Sequence, residues 1–187
     1  MSDSRIGCVV LAAGFARRFG TDKRQAPLPD GGTLLSRTLH NAAPAFSERL
    51  LVLHAGDTEL WQHYAPQWQA IIAQDAALGL GHSLAAALPY VQEWEGMVVA
   101  LGDMPWVQSA TYAEVKERLN AQTLVVPYYQ GQRGNPVGIG RDFFAALAAP
   151  EGELGARALF ERHASALVRC TVNDRGILRD VDVPDDL

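Results

Sequence analysis

The chain has 187 residues, 48% of them apolar, and a formal net charge of −5. That is enough apolar material for one compact domain with a sizeable core. The acidic balance argues against a nucleic-acid binder or a protein held on an anionic membrane, since both need a basic face.

Strand-like and helix-like stretches alternate along the chain. Residues 6–13 form an apolar run that stops at Gly14, the pattern of a buried strand. Residues 33–45 carry apolar side chains at Leu34, Leu35, Leu39 and Ala42, a helical stripe with Thr33 placed to cap it. Residues 49–54 read as a second strand, and Asp57 is expected to cap a short helix through Tyr64. A third strand is expected over 70–74. A helix follows over 81–94, with Leu84, Leu88 and Val91 on one face. Residues 96–101 are uninterruptedly apolar, as in a central parallel strand covered on both faces. A helix over 109–121, with Val115 and Leu119 inward, and a strand over 123–127 continue the alternation. After Pro127 come a turn-rich loop at 131–136, short helices near 141–148 and 155–163, and two short strands at 166–172 and 177–181. This β-α-β-α order predicts a single-domain α/β three-layer sandwich, with a mostly parallel, Rossmann-like central sheet. No linker divides the chain, so 1–187 reads as one domain.

Cys8 and Cys170 each sit inside an apolar strand-like run and are expected to be buried thiols in a reducing compartment. No apolar run approaches the roughly 20 residues that cross a bilayer. The opening Met1-Ser2-Asp3-Ser4-Arg5 lacks the cationic start and apolar core of a secretory signal, so a soluble cytoplasmic protein with no membrane partner is expected.

Ligands of open parallel sheets bind beyond the carboxyl ends of the strands. Two segments fall there. The first is Leu11-Ala12-Ala13-Gly14, followed by a loop through Gly20 that gathers Arg17, Arg18, Lys23 and Arg24. Glycines let backbone N–H groups approach an anion, and the basic side chains supply counter-charge. The loop is neither a P-loop nor a dinucleotide fingerprint, because it lacks G-x-x-x-x-G-K-[ST] and G-x-G-x-x-G. Lys23 and Arg18 fit a triphosphate, the first as a point charge and the second as a fork. Arg17 and Arg24 read as surface residues of a charged loop. The second segment is Leu101-Gly102-Asp103-Met104-Pro105. A carboxylate ending a buried strand is costly unless it is paired or cation-bound. Mg²⁺ takes one or two carboxylates plus phosphate oxygens and water, and Asp103 fits that role or a turn-capping one. Ser83, in the glycine-rich helix entry Gly79-Leu80-Gly81-His82-Ser83-Leu84, by itself reads as an ordinary helix cap. Asp182 by itself reads as a solvated strand carboxylate.

The pattern L-A-A-G-x-x-x-R-x-G-x-x-K over residues 11–23, with Gly102-Asp103-Met104-Pro105 after the central strand, resembles the nucleotidyltransferases related to the molybdenum cofactor guanylyl- and cytidylyltransferases. Gly134-Asn135-Pro136, Gly152-Glu153-Leu154-Gly155-Ala156-Arg157 and the closing Asp180-Val181-Asp182-Val183-Pro184-Asp185-Asp186-Leu187 extend the resemblance to the C-terminus. Ala16, His82, Asn135 and Glu153 depart from the common family residues. The resemblance implies Mg²⁺-dependent transfer of a nucleoside monophosphate from an NTP to a phosphorylated acceptor. Leu11, Ala12, Ala13, Gly14, Arg18, Gly20, Lys23 and Ser83 would bind the nucleotide. Lys23, Arg18 and Asp103 would carry the transfer, Asp103 and Asp182 the metal, and Asn135 and Arg157 the acceptor. Residues of about 5–127 would form the NTP-binding part and about 128–187 the acceptor-binding part. Ala13 in L-A-A-G favours CTP, with a molybdopterin-type cofactor as acceptor and a client molybdoenzyme or its chaperone downstream. GTP with the same acceptor, and another phosphorylated acceptor, stay open. So does a non-catalytic carrier of the cofactor, although Asp103 and Lys23 favour the enzyme. A phosphate monoester is largely ionised at neutral pH, its second pKa being about 6, so an acceptor phosphate needs no general base. No Ser-His-Asp or Cys-His set stands out in the sequence.

Overall fold

The computed structural model describes residues 5–14, 22–148, 155–183 and 186. Four parallel strands build its first half: β1 (Ile6–Leu11), β2 (Arg49–His54), β3 (Gln69–Ala73) and β4 (Gly96–Leu101). The second half adds β5 (Leu124–Tyr129), β6 (Gln132–Arg133), β7 (Val137–Gly140) and β8 (Leu167–Thr171). They form one eight-stranded sheet in the order β3-β2-β1-β4-β7-β5-β6, with β8 on the other side of β5. Only β6 and β7 pair with their neighbours antiparallel.

Helices cover both faces, so apolar residues alternate along the strands into two cores. Cys8, Val10 and Val98 pack with α1 (Leu34–Ala42), α2 (Thr58–Tyr64) and α4 (Ser109–Glu117). Val9, Met97 and Val99 pack with α3 (Leu80–Val91), α5 (Phe144–Leu147) and α6 (Gly155–Arg162). Burying both faces of β1 and β4 is what the unbroken apolar runs anticipate. Thr33 caps α1 in a reciprocal pair with Ser36. Both cysteines are free and buried, and burial pushes the Cys8 thiol well up from its ordinary pKa.

Three expectations are corrected. The strand expected at 177–181 is absent. Arg175–Leu178 is a 3₁₀ turn, and the chain then runs extended without joining the sheet. Gly176 lies so close under the Trp106 carbonyl that a Cβ would collide with it, while Ile177 and Val181 fill two different apolar pockets. β7 was not anticipated. Val137–Gly140 is short and half glycine, so its sequence lacks strand periodicity, yet it pairs with both β4 and β5. Asp57 precedes α2, but its carboxylate makes no cap and is turned inward to Arg24.

The non-strand C-terminal segment, 174–182, is fastened across the carboxyl edge of the sheet. Asp174, 2% exposed, accepts from the Gln108 N–H (2.8 Å), Thr111 Oγ1 (2.6 Å) and the Gly176 N–H (2.8 Å). Ile177 O accepts from the Asn135 N–H at 3.0 Å, and the Val181 N–H donates to Asp103 O at 3.1 Å. Arg179 stacks on Trp106, 3.7 Å from the ring centre. Replacing Asp174 by Ala strands three donors, two of them buried. A loss of about 2–3 kcal/mol is expected, read as a fall in Tm of about 5–10 °C in thermal unfolding.

Candidate active site

β1 and β4 pair in register from Ile6 with Gly96 to Leu11 with Leu101. The two segments of interest therefore leave neighbouring strands at one level. Gly102 makes their close approach possible: its N–H donates to Leu11 O at 2.9 Å, and a Cβ there would lie 3.0 Å from the Ala12 Cβ. A cavity of about 130 Å³ opens at this point, lined by Leu11, Ala12, Gly14, Lys23, Leu80 and Asp103 among others.

Lys23 begins a 3₁₀ turn (Lys23–Gln25) capped by the Asp22 carboxylate, which accepts from the Arg24 N–H at 3.1 Å. The Lys23 ammonium donates to Asp103 Oδ2 (2.8 Å), to Val181 O (2.8 Å) and to Asp182 Oδ1 (3.3 Å). Three distant segments thus meet at one nitrogen. Burial alone would lower the Lys23 pKa, but hydrogen bonds and charge from Asp103 and then Asp182 outweigh it, and the net shift is upward from the ordinary 10.5. Lys23 is therefore fully cationic at neutral pH.

The donor set fits a hard divalent cation. Asp103 Oδ2 takes Lys23, while Oδ1 is buried with no hydrogen-bond partner. A buried carboxylate oxygen left this way calls for a cation or a proton. Asp182, with its side chain 58% exposed, stands beside it. Among the described residues no group of three or more His, Cys, Asp or Glu forms a closed metal cage. A cation here would draw its other ligands from substrate and water, the habit of Mg²⁺.

The other expected residues divide clearly. Ala13 is buried between the strand end and Gly14. Ser83 is buried in the first turn of α3, but Gly79, not Ser83, occupies the cap position. Beside Ser83, His82 keeps its Nδ1 buried without a partner. Asn135 is half-buried in the turn into β7 and touches the C-terminal segment through its backbone rather than meeting Lys23. Arg18 and Gly20 lie outside the described residues, as does the Arg157 side chain, which α6 carries. Arg24 corrects its expectation. It is not a surface residue but 6% exposed, paired with Asp57 and Asp22. The sequence signal was slight: Asp57 just beyond an apolar strand, a carboxylate that needed a cation.

Because a raised lysine pKa gives stability that is intact below the unfolded value and lost only as pH climbs past the folded one, Lys23→Met should lower Tm by the same amount from about pH 6 to 9. Thermal melts across that range check it.

The chain is similar to known proteins over nearly its whole length. The profile of the MobA-like NTP transferase domain matches residues 8–167. Molybdenum cofactor cytidylyltransferase of Escherichia coli K12 is 29% identical, over 98% of this chain and 94% of that protein. The solved protein Rv0371c of Mycobacterium tuberculosis H37Rv superposes with a TM-score of 0.86 at 30% identity, over 97% of this chain and 95% of that one. Its complex with manganese superposes at 0.81, with the same identity and coverage.

Proposed function

The chain belongs to the MobA-like NTP transferase family and is a nucleotidyltransferase, and from that premise we propose that it transfers CMP from CTP to the phosphate of a molybdopterin-type cofactor, releasing pyrophosphate. The observation that carries the reading is the meeting of Lys23, Asp103 and Asp182 at the mouth of a cavity under the Leu11-Ala12-Ala13-Gly14 segment. The name of the Escherichia coli relative and Ala13 in the loop support CTP and this acceptor.

Phosphoryl-type transfer asks a protein for positioning and charge neutralisation more than for covalent chemistry. The backbone of residues 11–14, with Arg18, Gly20 and Ser83, holds the nucleotide. Asp103 and Asp182 would hold a divalent cation, Mg²⁺, which when bound offsets charge on the triphosphate. Lys23 brings a permanent positive charge and three N–H donors to the oxygens of the departing pyrophosphate, together with Arg18. An oxygen of the acceptor phosphate attacks the α-phosphorus as the bond to pyrophosphate breaks, and no proton need be removed from that phosphate monoester dianion. Asn135 and Arg157 would bind the acceptor, with about 5–127 serving the NTP and about 128–187 the acceptor. The product would pass in the cytoplasm to a client molybdoenzyme or its chaperone.

The test is pyrophosphate release with Mg²⁺ and each of the four NTPs, with and without molybdopterin-type cofactor. Release that needs both CTP and the cofactor is expected; release with GTP alone, or no release with any of the four NTPs, overturns the substrate assignment. Asp103→Ala should lower kcat at least about a hundredfold, on the scale of losing one key electrostatic group. Near-normal release by that variant would refute the role given to Asp103.

A further inference from the structure

We propose that Arg24 is a positioning residue, clasping the turn that bears Lys23 onto the ends of β1 and β2 and so setting where the Lys23 ammonium stands against Asp103. Arg24 forms part of the cavity wall, and its guanidinium commits all three nitrogens to groups of the protein. Nη1 donates to Ala12 O (2.7 Å) and to Asp57 Oδ2 (2.5 Å). Nη2 donates to Asp57 Oδ1 (2.7 Å) and Asp22 Oδ2 (2.9 Å), and Nε to Asp22 Oδ1 (2.8 Å). Ala12 is the first residue beyond β1, Asp57 follows β2, and Asp22 caps the Lys23 turn. One side chain therefore joins the Lys23 turn, which lies outside the strands, to the ends of β1 and β2, which pair with each other.

The anchors are themselves held. The Ala12 N–H donates to Val52 O at 2.9 Å, and Asp57 Oδ2 accepts from the His54 N–H at 3.0 Å. His54 Nε2 adds a contact of 3.3 Å to Arg24 Nη2. Asp57 is 7% exposed, so this carboxylate and Arg24 form a closed, desolvated pair. Lys23 and Arg24 are consecutive in a 3₁₀ turn, where neighbouring side chains diverge by about 120°. Fixing Arg24 toward β2 turns Lys23 toward β4 and Asp103. The bonds within the turn are local, from the Gln25 N–H to Asp22 O and the Ala26 N–H to Lys23 O. They set its shape and not its place on the sheet. Only a planar fork can serve Asp57, Asp22 and a carbonyl at once; an ammonium cannot span them.

The turnover half of the test rests on the transferase reading above, and the structural half does not. Crystal structures of Arg24→Lys and Asp57→Asn are compared with the wild type for the separation of Lys23 Nζ and Asp103 Oδ2, expected to open from hydrogen-bond contact to beyond about 4 Å. CTP-dependent pyrophosphate release is then measured for Arg24→Lys alone, Lys23→Ala alone and the pair. Arg24→Lys should lower kcat about tenfold or more with Lys23 present, since small misplacements of a catalytic group carry costs of this order. With Lys23 already removed it should cost less than about twofold, because no ammonium remains to misplace. A purely structural Arg24 would multiply its full loss onto Lys23→Ala, and that result overturns the proposal. So does a folded variant that keeps Lys23 on Asp103. If Arg24→Lys does not fold, Asp57→Asn, nearly isosteric and with Arg24 intact, carries both measurements. A wild type that turns over no NTP refutes the transferase reading, and the crystallographic separation then decides the clasp by itself.

Discussion

The parallel ladder between β1 and β4 is the constraint from which the site hangs. It runs in register to Leu11 and Leu101, and the next residues on each strand are pressed together at Gly102 and Ala12. Slipping this register by one residue would exchange the two cores, since side chains alternate between faces. It would also separate Asp103 from the mouth of the cavity. The apolar burial of both strand faces thus holds the charged groups in place at a distance, because a close-packed core cannot yield by the small amounts that such a slip requires.

At the end of that ladder the charges are arranged in two adjacent triplets. Lys23 is shared by Asp103 and Asp182, and Arg24 by Asp57 and Asp22. Lys23 and Asp103 of the first triplet line the cavity, with Asp182 exposed beside them; in the second, Arg24 forms part of the cavity wall while its partner Asp57 is buried. This division follows the chemistry of the two cations. Arginine keeps its charge under burial and satisfies two carboxylates with a fork, which suits a permanent anchor. Lysine is a compact charge on a flexible stem, able to change partners when a more anionic group arrives. Each triplet sums to −1, so the first favours a divalent cation more than a free anion, and a triphosphate would arrive there with its counter-ion.

The C-terminal segment completes the site by hydrogen bonds outside the sheet. Asp174 fixes its start at the beginning of α4, Arg179 stacks on Trp106, and Val181 sits among Ala26, Leu28 and Leu34. These contacts lead the segment to the Lys23 turn, where Asp182 Oδ1 accepts from the ammonium. Without ladder pairing, a segment needs such side-chain fastenings to hold a position, and the buried Asp174 supplies the strongest of them.

The α/β layering, the positions of β1, β2 and β4 and the placing of the Lys23 and Asp103 segments at one edge of the sheet were legible in the sequence. Apolar periodicity and glycine at strand ends are local signals, and the sheet rule places strand-end loops at one edge. Four features were decided by tertiary structure. β7 is a strand only because β4 and β5 offer it two unpaired edges, as its glycine-rich sequence has no periodicity of its own. The segment at 177–181 looks like a strand but finds no edge, and Gly176 is wedged against the Trp106 carbonyl instead. Asp57 looks like a cap but faces Arg24. Arg24 looks like a surface residue but is buried, because groups from positions 12, 22, 54 and 57 converge on it. A buried charge is stable only when distant acids and carbonyls converge on it, and that convergence is a property of the folded chain that no local pattern encodes.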